Sequence, residues 1–428
     1  RRAIRCFGPA ALAVALATAA GAARLLCGGP LPSAARPPAR PLRASRRLAG
    51  EQRREGAEGQ ARHDGPGAWL TGLSVALVDM LLKSPIYGLL LVPAARGTMV
   101  STAEKNGIDW RGALSWIRSA MAPLVPVETV PRTPAYYKAP FHAYPEGNLC
   151  WDAAMEQELA GKAVGIRNFP TKQGGNEGER LFRESLEVGL RALREEVADG
   201  ATLVDFGCGT STSTRRLAQL FPQAKRVIGV DLSPHMVAVG RHLLTGAGDR
   251  SAGEWIEPVM PDARVELRLA DIASTGLPDA SADLVSACLV LHELPPDAAR
   301  DAFAEAFRVL RPGGVLWCAE MDGSSPGYRE LRRNPALFAL IRATEPYLDQ
   351  YFDSQEALIA EASREAGFAE VEVSAATGRH FNVLARKPHG TSPEELNFRL
   401  RDLRFDAEGR YAKGDTHLHT LDTDGRKM

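Results

Sequence analysis

A short glycine-rich turn is the first place in the chain where residue types and spacing suggest chemistry. Gly207 and Gly209 follow an apolar run that ends at Phe206, and Asp205 comes just before that residue. Glycines between a strand and a helix permit a tight turn and let a ligand approach the backbone closely. A dinucleotide-binding loop has a third glycine three residues further on, where this chain has Thr212. The turn therefore predicts a ligand bound against the backbone.

Two further acidic residues stand where strands are predicted to end. Asp231 closes the apolar run 226–231, and Asp271 with Ile272 follows the run 264–270. A carboxylate at the end of the second strand can accept hydrogen bonds from both hydroxyls of a ribose. Asp271 can accept a hydrogen bond from an adenine amino group, while Ile272 packs on the ring. Ligands of open α/β sheets bind beyond the carboxyl ends of the strands, so these features predict one shared site.

The elements that position these residues form an alternating series within a predicted domain at 166–388. Phe182 to Val197 carries an apolar stripe at helical spacing, which predicts one amphipathic helix before the first strand. Short apolar runs and amphipathic runs then alternate, which is typical of an α/β sheet with helices on both faces. A short connection after residue 375 predicts a closing antiparallel pair. The predicted strands are 201–206, 226–231, 264–270, 283–289, 314–320, 368–375 and 379–386, and the predicted helices are 211–220, 234–245, 297–310 and 355–366.

Residues 1–65 are predicted to be a targeting presequence. Residues 1–50 contain nine Arg and no Lys, Asp or Glu, so this stretch carries +9 and the remainder −9. A basic start and a 14-residue apolar run from Ala10 to Ala23 are typical of a signal peptide, and the Arg/Pro-rich stretch behind them is typical of a transit peptide. The series predicts a plastid address, with a mitochondrion as the alternative. A compositionally biased terminus without an address also stays open.

Residues 66–165 are predicted to form a helical extension that ends in a Pro-rich connector. The stretch from Trp69 to Ile117 is predicted to be helical with a break at Ser84-Pro85, and Trp151–Val164 is predicted as a short helix. Prolines between residues 122 and 148 predict an extended chain there, and residues 174–178 are predicted as a loop. Four connector side chains are candidates for a lid over the ligand: Tyr136, Tyr137, Phe141 and His142.

The composition of the 428 residues excludes several classes of protein. Hydrophobic residues make up 45% and charged residues 24%, which is ordinary for a globular chain. The 52 basic and 52 acidic residues cancel, which argues against a nucleic-acid binder. Six dispersed cysteines without a CxxC pair exclude a zinc ribbon and a disulfide-dense scaffold, and we expect no metal. No run reaches the roughly 18–20 apolar residues of a membrane span, although surface association with a bilayer stays open.

With these residues in place, the chain resembles the class I S-adenosylmethionine-dependent methyltransferases. The motifs are Asp205-x-Gly207-x-Gly209, Asp231, Asp271-Ile272 and Arg-Val-Leu-Arg-Pro-Gly-Gly at 308–314, and the resemblance covers about residues 178–388. The chain is most similar to the ubiquinone/menaquinone-biosynthesis type. The segment 69–165 resembles an extension found in plastid and cyanobacterial relatives. The Tyr-Asp-x-Met-Asn-Asp stretch of the quinone enzymes is absent.

The resemblance implies a Rossmann-like sheet of seven strands in the order 3-2-1-4-5-7-6, with strand seven antiparallel. It implies S-adenosyl-L-methionine as cofactor, with Gly207 and Gly209 facing its methionine part. Asp231 would bind the ribose and Asp271 with Ile272 the adenine. Asp205 and Leu289 complete the expected cofactor-binding set. Another Rossmann-like binder of NAD or a nucleotide is the alternative, which the missing third glycine disfavours.

Residues after the fourth predicted strand are expected to face both cofactor and substrate. His292 has the pKa range of a general base, and Glu293 is the neighbouring candidate to orient it. His292 capping the next helix, and Glu293 being merely solvated, stay open. The segment is not Asn/Asp-Pro-Pro-Tyr/Phe, and no Pro-Cys dipeptide occurs in the chain, so DNA base methylation lacks its residues.

Two tyrosines after the fifth strand are candidates for an aromatic substrate pocket. Tyr347 and Tyr351 are spaced to share a helix face, although a pair at this spacing also fits a core. Residues 389–428 are predicted to be a polar tail, either an exposed edge hairpin or disordered. His417 and His419 there make at most half a metal site.

The sequence therefore predicts a methyltransferase that acts on oxygen or carbon of a small or lipophilic molecule, aromatic or quinone-like compounds included. A non-catalytic scaffold of the same fold and a protein or RNA methyltransferase are the alternatives. The sequence predicts no oligomeric state.

Overall fold

The computed structural model describes residues 92–121, 128, 132–142, 144–169, 175–246, 261–333, 338, 341–342, 344–390 and 398–412. The expected presequence 1–65, the first part of the helical stretch from Trp69, and the histidines 417 and 419 lie outside these residues. Within the described ranges, no helix combines the length and the apolar content that a bilayer crossing requires.

A twisted sheet forms the centre of the described part of the chain. Its strands lie in the order β3-β2-β1-β4-β5-β7-β6-β8. All neighbouring strands are parallel except that β7 runs antiparallel to both β5 and β6. The predicted fold class and the order 3-2-1-4-5-7-6 are confirmed, with one additional strand. The strands are β1 Thr202–Phe206, β2 Arg226–Asp231, β3 Val265–Leu269, β4 Ala282–Cys288, β5 Leu310–Met321, β6 Glu370–Ala375, β7 His380–Arg386 and β8 Arg399–Leu403.

Helices cover both faces of this sheet because its central strands are apolar on both sides. All five residues of β1 are buried. Leu203 packs in the core of one face, whereas Val204 and Phe206 pack in the core of the other, as the period-two alternation of a strand requires. The helices are α1 Val92–Lys105, α2 Trp110–Ala120, α3 Trp151–Asn168, α4 Gly175–Leu186, α5 Val188–Ala192, α6 Thr212–Leu220, α7 Pro234–Leu244, α8 Pro296–Val309, α9 Pro326–Arg332 and α10 Leu348–Ala366.

The N-terminal extension shares a hydrophobic core with the sheet domain. Trp110 and Ile117 of α2 and Leu159 of α3 pack with Met236 and Val239 of α7 in one cluster. This packing fixes α3 against the helix that follows β2. The extension is therefore positioned to contribute side chains at the carboxyl edge of the sheet.

Two segments differ from the sequence expectation. The helix expected over Phe182–Val197 is interrupted at Glu187, although its apolar positions Phe182 and Leu190 are buried as predicted. Residues 175–178 of the segment expected as a loop instead begin α4, and Gly178 lies against α3. A Cβ on Gly178 would lie 2.8 Å from Cα of Ile166, so the crossing requires a glycine there.

The eighth strand lies in the segment predicted to be a polar tail. β8 pairs in parallel with β6 at the sheet edge, and all five of its residues are exposed. The next residue, Arg404, is only 4% exposed and forms ion pairs with Asp322, Glu356 and Asp402. The polar composition of the tail did not indicate that Arg404 is buried. A buried arginine is stable only beside carboxylates supplied by other elements, and the tail sequence does not show them.

Candidate cofactor and active site

The glycine turn lies at the carboxyl end of β1, where its backbone meets β2. Gly207 has φ +67° and donates its N–H to the carbonyl of Val230 at 2.8 Å. A Cβ on Gly207 would lie 2.6 Å from Cγ2 of Val290, in addition to the cost of the left-handed conformation. Gly209 has φ +52° and donates its N–H to Oδ2 of Asp231 at 2.8 Å. The turn and the acid at the end of β2 are therefore one unit, as the sequence predicted.

Asp231 is held by hydrogen bonds from both sides. It is 7% exposed, and its Oδ1 accepts the N–H of Ser233 at 2.8 Å. Burial raises the pKa of Asp231, which the two backbone N–H groups partly offset. Tyr137, from the connector, lies near enough to this carboxylate to lower its pKa. Sequence reasoning gave Tyr137 a position over the ligand but no partner.

The extension also reaches the glycine turn through Gln157 of α3. The Oε1 atom of Gln157 accepts the N–H of Thr210 at 2.5 Å. The amide group of Gln157 occupies the position that a Cβ on Gly209 would take. The neighbouring Ser211 has φ +80°, and its fully buried Oγ has no hydrogen-bond partner within the described ranges. Sequence reasoning missed Gln157 because it lies in another element, 53 residues before Thr210.

These features fit S-adenosylmethionine. A backbone turn without side chains, a carboxylate at the end of β2 and an unpartnered buried hydroxyl offer hydrogen bonds to a ligand that carries a ribose and an amino acid group. Gly207, Gly209 and Asp231 would hold these groups, with Gln157 and Tyr137 beside them.

The expected adenine side of the site lies at the end of β3. Asp271 is half-exposed, and its Oδ1 accepts the N–H of Ala273 at 2.9 Å. Ile272 is 8% exposed and packs against the core. Burial raises the pKa of Tyr136 to about 12, and the charge of Asp271 adds to this shift, so the connector tyrosine lies near the acid.

Asp205 does not take the role expected for it. The residue has 0% exposure, and its carboxylate accepts hydrogen bonds from the hydroxyls of Ser213, Thr214 and Ser286 at 2.6–2.7 Å. Burial raises its pKa against these three hydrogen bonds. A carboxylate enclosed in this way joins β1 to α6 and β4 and has no exposed atom for a cofactor, so the assignment of Asp205 as a cofactor ligand is corrected.

His292 lies in a single turn of 3-10 helix after β4 and is paired with a buried carboxylate. Its Nδ1 is 2.8 Å from Oε2 of Glu320, at the end of β5, and the other oxygen of Glu320 accepts the N–H of Leu291 at 2.6 Å. Burial alone lowers the pKa of His292, but the charge and hydrogen bond of Glu320 raise it to about 10. The imidazole is therefore protonated at neutral pH. Glu320, which sequence reasoning missed, orients His292 in place of Glu293.

Glu293 has a different environment, shared with the connector. Its Oε2 accepts a hydrogen bond from the Asn148 amide at 3.3 Å, and its Oε1 is 3.8 Å from Nε2 of His142. The backbone carbonyl of Asn148 accepts the hydroxyl of Ser233 at 2.5 Å, and the N–H of Ser233 donates to Asp231, so one chain of hydrogen bonds runs from Asp231 to Glu293. Burial raises the pKa of Glu293 to about 7, against the lowering effect of the two histidines.

The connector closes over this cluster from the extension side. His142 Nε2 lies 3.0 Å from Oε1 of Glu345, and Tyr136 packs edge-on against Tyr347 at 6.4 Å between ring centroids. Tyr347 donates its hydroxyl to the carbonyl of Tyr136 at 3.1 Å. Tyr136 and His142 thus lie beside this cluster and Phe141 is buried, while their role as a lid over the ligand stays a prediction.

Strained backbone is concentrated around the same cluster. Leu289 has φ +59°, and its N–H donates to the carbonyl of Ala319 at 2.8 Å. His142 has φ +49°, and Ser211 is the third such residue at the site. A branched or bulky residue in the left-handed region is strained by about 1–3 kcal/mol and persists only where its surroundings hold it, most often at functional sites.

The two candidate substrate tyrosines have unequal positions. Tyr347 is half-buried at the N-cap of α10 and borders the connector. Tyr351 is 1% exposed, donates its hydroxyl to the carbonyl of Met321 and packs 6.3 Å from the His292 ring. A side chain so fully buried supports His292 from the core, so the expectation that Tyr351 lines a substrate pocket is corrected.

Part of this sheet domain matches a known protein family. Residues 204–318 match the family described as "Methyltransferase domain". The chain is similar to a trans-aconitate 2-methyltransferase of Azoarcus sp., with 35% identity over 35% of this chain and 53% of that protein. It is similar to the O-methyltransferase cnsE of Penicillium expansum, with 32% identity over 49% and 66%. It is also similar to a demethylmenaquinone methyltransferase of Lysinibacillus sphaericus, with 30% identity over 32% and 52%. The chain thus spans between about half and two thirds of these relatives' lengths.

The matched range includes the glycine turn, both strand-end acids and the His292 turn. It begins in β1 and ends in β5, so it contains the strands whose carboxyl ends form the site. The sequence, the strand order and the cofactor-type cradle agree on the class. Residues 204–318 form a methyltransferase domain of the class I type, whose cofactor is S-adenosylmethionine.

Proposed function

We propose that the chain transfers the methyl group of S-adenosylmethionine to an oxygen or carbon atom of a small molecule. The observation that carries this proposal is the chain of hydrogen bonds from Asp231 through Ser233 and Asn148 to Glu293. It joins the cofactor side of the site to a cluster of titratable groups beyond β4. A scaffold that only bound a nucleotide would not need the titratable groups beyond β4.

Glu293, His292 and the connector have separate roles in this transfer. When bound, S-adenosylmethionine supplies an electrophilic methyl carbon. Glu293, with its pKa raised to about 7, is the group suited to take a proton from the acceptor at neutral pH. His292, protonated beside Glu320, donates an N–H and places positive charge where an acceptor oxygen would lie. The connector excludes water from the reacting atoms.

The names of the relatives support a small acceptor. They describe methyltransferases of trans-aconitate and demethylmenaquinone and an O-methyltransferase. Within this range we favour O-methylation, because proton removal by a carboxylate suits a hydroxyl better than an unactivated carbon. A quinone-like acceptor of the ubiquinone/menaquinone type remains the second candidate, and Tyr347 at the connector is the aromatic side chain suited to it.

The first test is cofactor binding. We expect calorimetry to show binding of S-adenosylhomocysteine by the full chain and at least tenfold weaker binding by Asp231→Asn, because charged hydrogen bonds are worth about 1.5–3 kcal/mol. Asp297→Asn is the matched control, since it removes a carboxylate whose side chain is 97% exposed. Absence of binding by the unmodified chain, or equal binding by both variants, would contradict the proposed cofactor site.

A second readout separates an enzyme from a scaffold. Transfer of labelled methyl from S-adenosylmethionine to small molecules of an extract supports turnover, whereas transfer to protein or RNA favours the macromolecular alternative. Binding without any transfer supports the scaffold. The Glu293→Gln variant should keep cofactor binding and lose transfer.

We also propose that residues 1–65 direct the protein to a plastid, with a mitochondrion as the second candidate. The Arg-rich, acid-free composition and the apolar run support this address. A fluorescent fusion of these residues should enter the organelle, and a fusion that stays in the cytosol would refute both destinations.

A further inference from the structure

Two arginines near the proposed active site have no anionic partner within the described part of the chain. Arg167 lies in the last turn of α3, and Arg379 directly precedes β7. Neither side chain makes a hydrogen bond or an ion pair with a described residue, although exposed arginines elsewhere, such as Arg180 and Arg410, do so. Arg379 is half-exposed and Arg167 exposed.

The packing of four elements brings these two arginines to one place. The C-terminal part of α3 crosses α4 at Gly178, and Phe182 of α4 packs 5.3 Å from the ring of His380. Arg379 precedes His380, and its side chain lies over the first turn of α9. A Cβ on Gly327 would lie 2.6 Å from Cγ and 3.0 Å from Nε of Arg379.

Tyr328, the next residue of α9, is joined to His292 by ring contacts. Its ring lies 5.1 Å from that of Phe352, Phe352 contacts Tyr351, and Tyr351 packs against His292. Burial raises the pKa of Tyr328, the charges of Arg379 and Arg167 lower it, and those of Glu345 and Glu320 raise it further. The phenol is thus within electrostatic reach of both arginines and of two carboxylates of the cluster. His380 is likewise within reach of both Arg379 and His292.

Arg167 has crowded surroundings on one side and solvent on the other. Burial lowers its pKa, and the charge of Arg379 lowers it further, yet the residue keeps access to solvent. Like charges brought together in a partly desolvated place repel each other unless an anion joins them. The two carboxylates that act on Tyr328 pair with histidines instead, Glu345 with His142 and Glu320 with His292.

We propose that Arg167 and Arg379 bind an anionic group of the methyl acceptor, a carboxylate or a phosphate, so that the acceptor is an acid. Guanidinium groups bind both anions through paired N–H donors. The acceptor would then extend from the arginines, past Tyr328, to the imidazolium of His292. This inference rests on the proposed methyl transfer and specifies its substrate class.

The test uses the full chain and anions of known chemistry. Propane-1,2,3-tricarboxylate, its uncharged triamide and inorganic phosphate are titrated into the protein by calorimetry, with and without S-adenosylhomocysteine. The variants are Arg167→Gln and Arg379→Gln. Arg111→Gln is the matched control, because it removes one positive charge from a residue of the extension whose side chain is 70% exposed.

We expect the unmodified protein and the control to bind the tricarboxylate or phosphate, and not the triamide. Each of the two variants should bind the anion about tenfold more weakly or worse, while its affinity for S-adenosylhomocysteine stays unchanged. The preferred anion tells a carboxylate site from a phosphate site. Equal binding of the triamide, unchanged binding by both variants, or no anion binding by a protein that binds S-adenosylhomocysteine would overturn the inference. Failure to bind S-adenosylhomocysteine would instead contradict the proposed function.

Discussion

At the scale of single residues, the protonation state of His292 decides how the site works. A histidine with an ordinary pKa would be a base at neutral pH, as the sequence suggested. The Glu320 carboxylate changes this, because it lies 2.8 Å from Nδ1 and has 0% exposure. The imidazole becomes a cation that orients an acceptor, and the role of base passes to Glu293.

Replacing Glu320 by Gln should return His292 to a neutral state. Without the carboxylate charge, burial dominates and the pKa of His292 should fall from about 10 to below its ordinary value of 6.5. NMR titration of labelled histidine measures this directly. Glu293→Gln is the control, since Glu293 has a smaller effect on His292. A His292 that titrates alike in both variants would contradict the assignment.

The same pair gives a pH dependence of stability. A pKa raised in the folded state contributes stability that is fully present below the unfolded pKa of 6.5 and is lost as pH rises through about 10. The free energy of unfolding of Glu320→Gln should therefore fall short of the unmodified protein by about 3 kcal/mol near pH 6.5, and the gap should narrow toward pH 10.

At the scale of elements, α3 decides whether the cofactor turn is complete. It carries Gln157, in its second turn, to the glycine turn and Arg167, in its last turn, to the proposed anion site. Its position depends on close packing of small residues, because Gly165 lies directly against the backbone of Glu179 in α4. If α3 moved, both the contact of Gln157 with the glycine turn and the position of Arg167 would be lost.

Adding one methyl group at Gly165 should separate the two helices. We expect Gly165→Ala to lower the free energy of unfolding by about 1–3 kcal/mol and to weaken binding of S-adenosylhomocysteine. Gly97→Ala in α1 is the matched control, since its Cβ position has no described residue outside its own helical turn within 4 Å, and it should be neutral or stabilising. Chemical denaturation compares the two, and equal effects would mean that the crossing is not close-packed.

At the scale of the whole molecule, the chain after β7 returns to lock the carboxyl edge of the sheet. Arg404 crosses from the end of β8 to Asp322, which follows β5 and has 0% exposure. Oδ1 of Asp322 also accepts hydrogen bonds from Ser324 and from the Gln355 amide. The ion pair of Arg404 with Asp322 therefore fixes the start of α9 and the middle of α10. These helices border the proposed acceptor site.

Removing this anchor should destabilise the molecule strongly. Arg404→Met leaves Asp322 buried without its cation, and breaking a buried ion pair costs about 3–5 kcal/mol. Arg410→Met is the control, because its side chain is 73% exposed and its ion pairs should contribute less than about 1 kcal/mol. Urea denaturation measures both variants. Arg404→Met combined with Asp322→Asn should recover part of the loss, and similar effects of the two single variants would refute the anchor.

Whether a site residue could be predicted from the sequence depends on how far apart in the chain its contacts lie. The glycine turn, Asp231 and Asp271 follow from local spacing, because a parallel strand places the residue after it at the carboxyl edge whatever its neighbours are. Asp205 lies in the same motif but is enclosed by three hydroxyls, two of them from α6 and one from β4. Its orientation depends on neighbours that the motif does not contain.

The sequence by itself determined the alternation of strands and helices and the positions of the ligand-binding turns, because apolar periodicity and glycine conformation are properties of short segments. Only the tertiary structure decided which charges meet. Glu320 lies 28 residues from His292, and Gln157 lies 53 residues from Thr210. Such pairs depend on which strand ends become neighbours in the sheet and on where the extension docks. Those arrangements are fixed by the burial of whole faces, so no single segment specifies them.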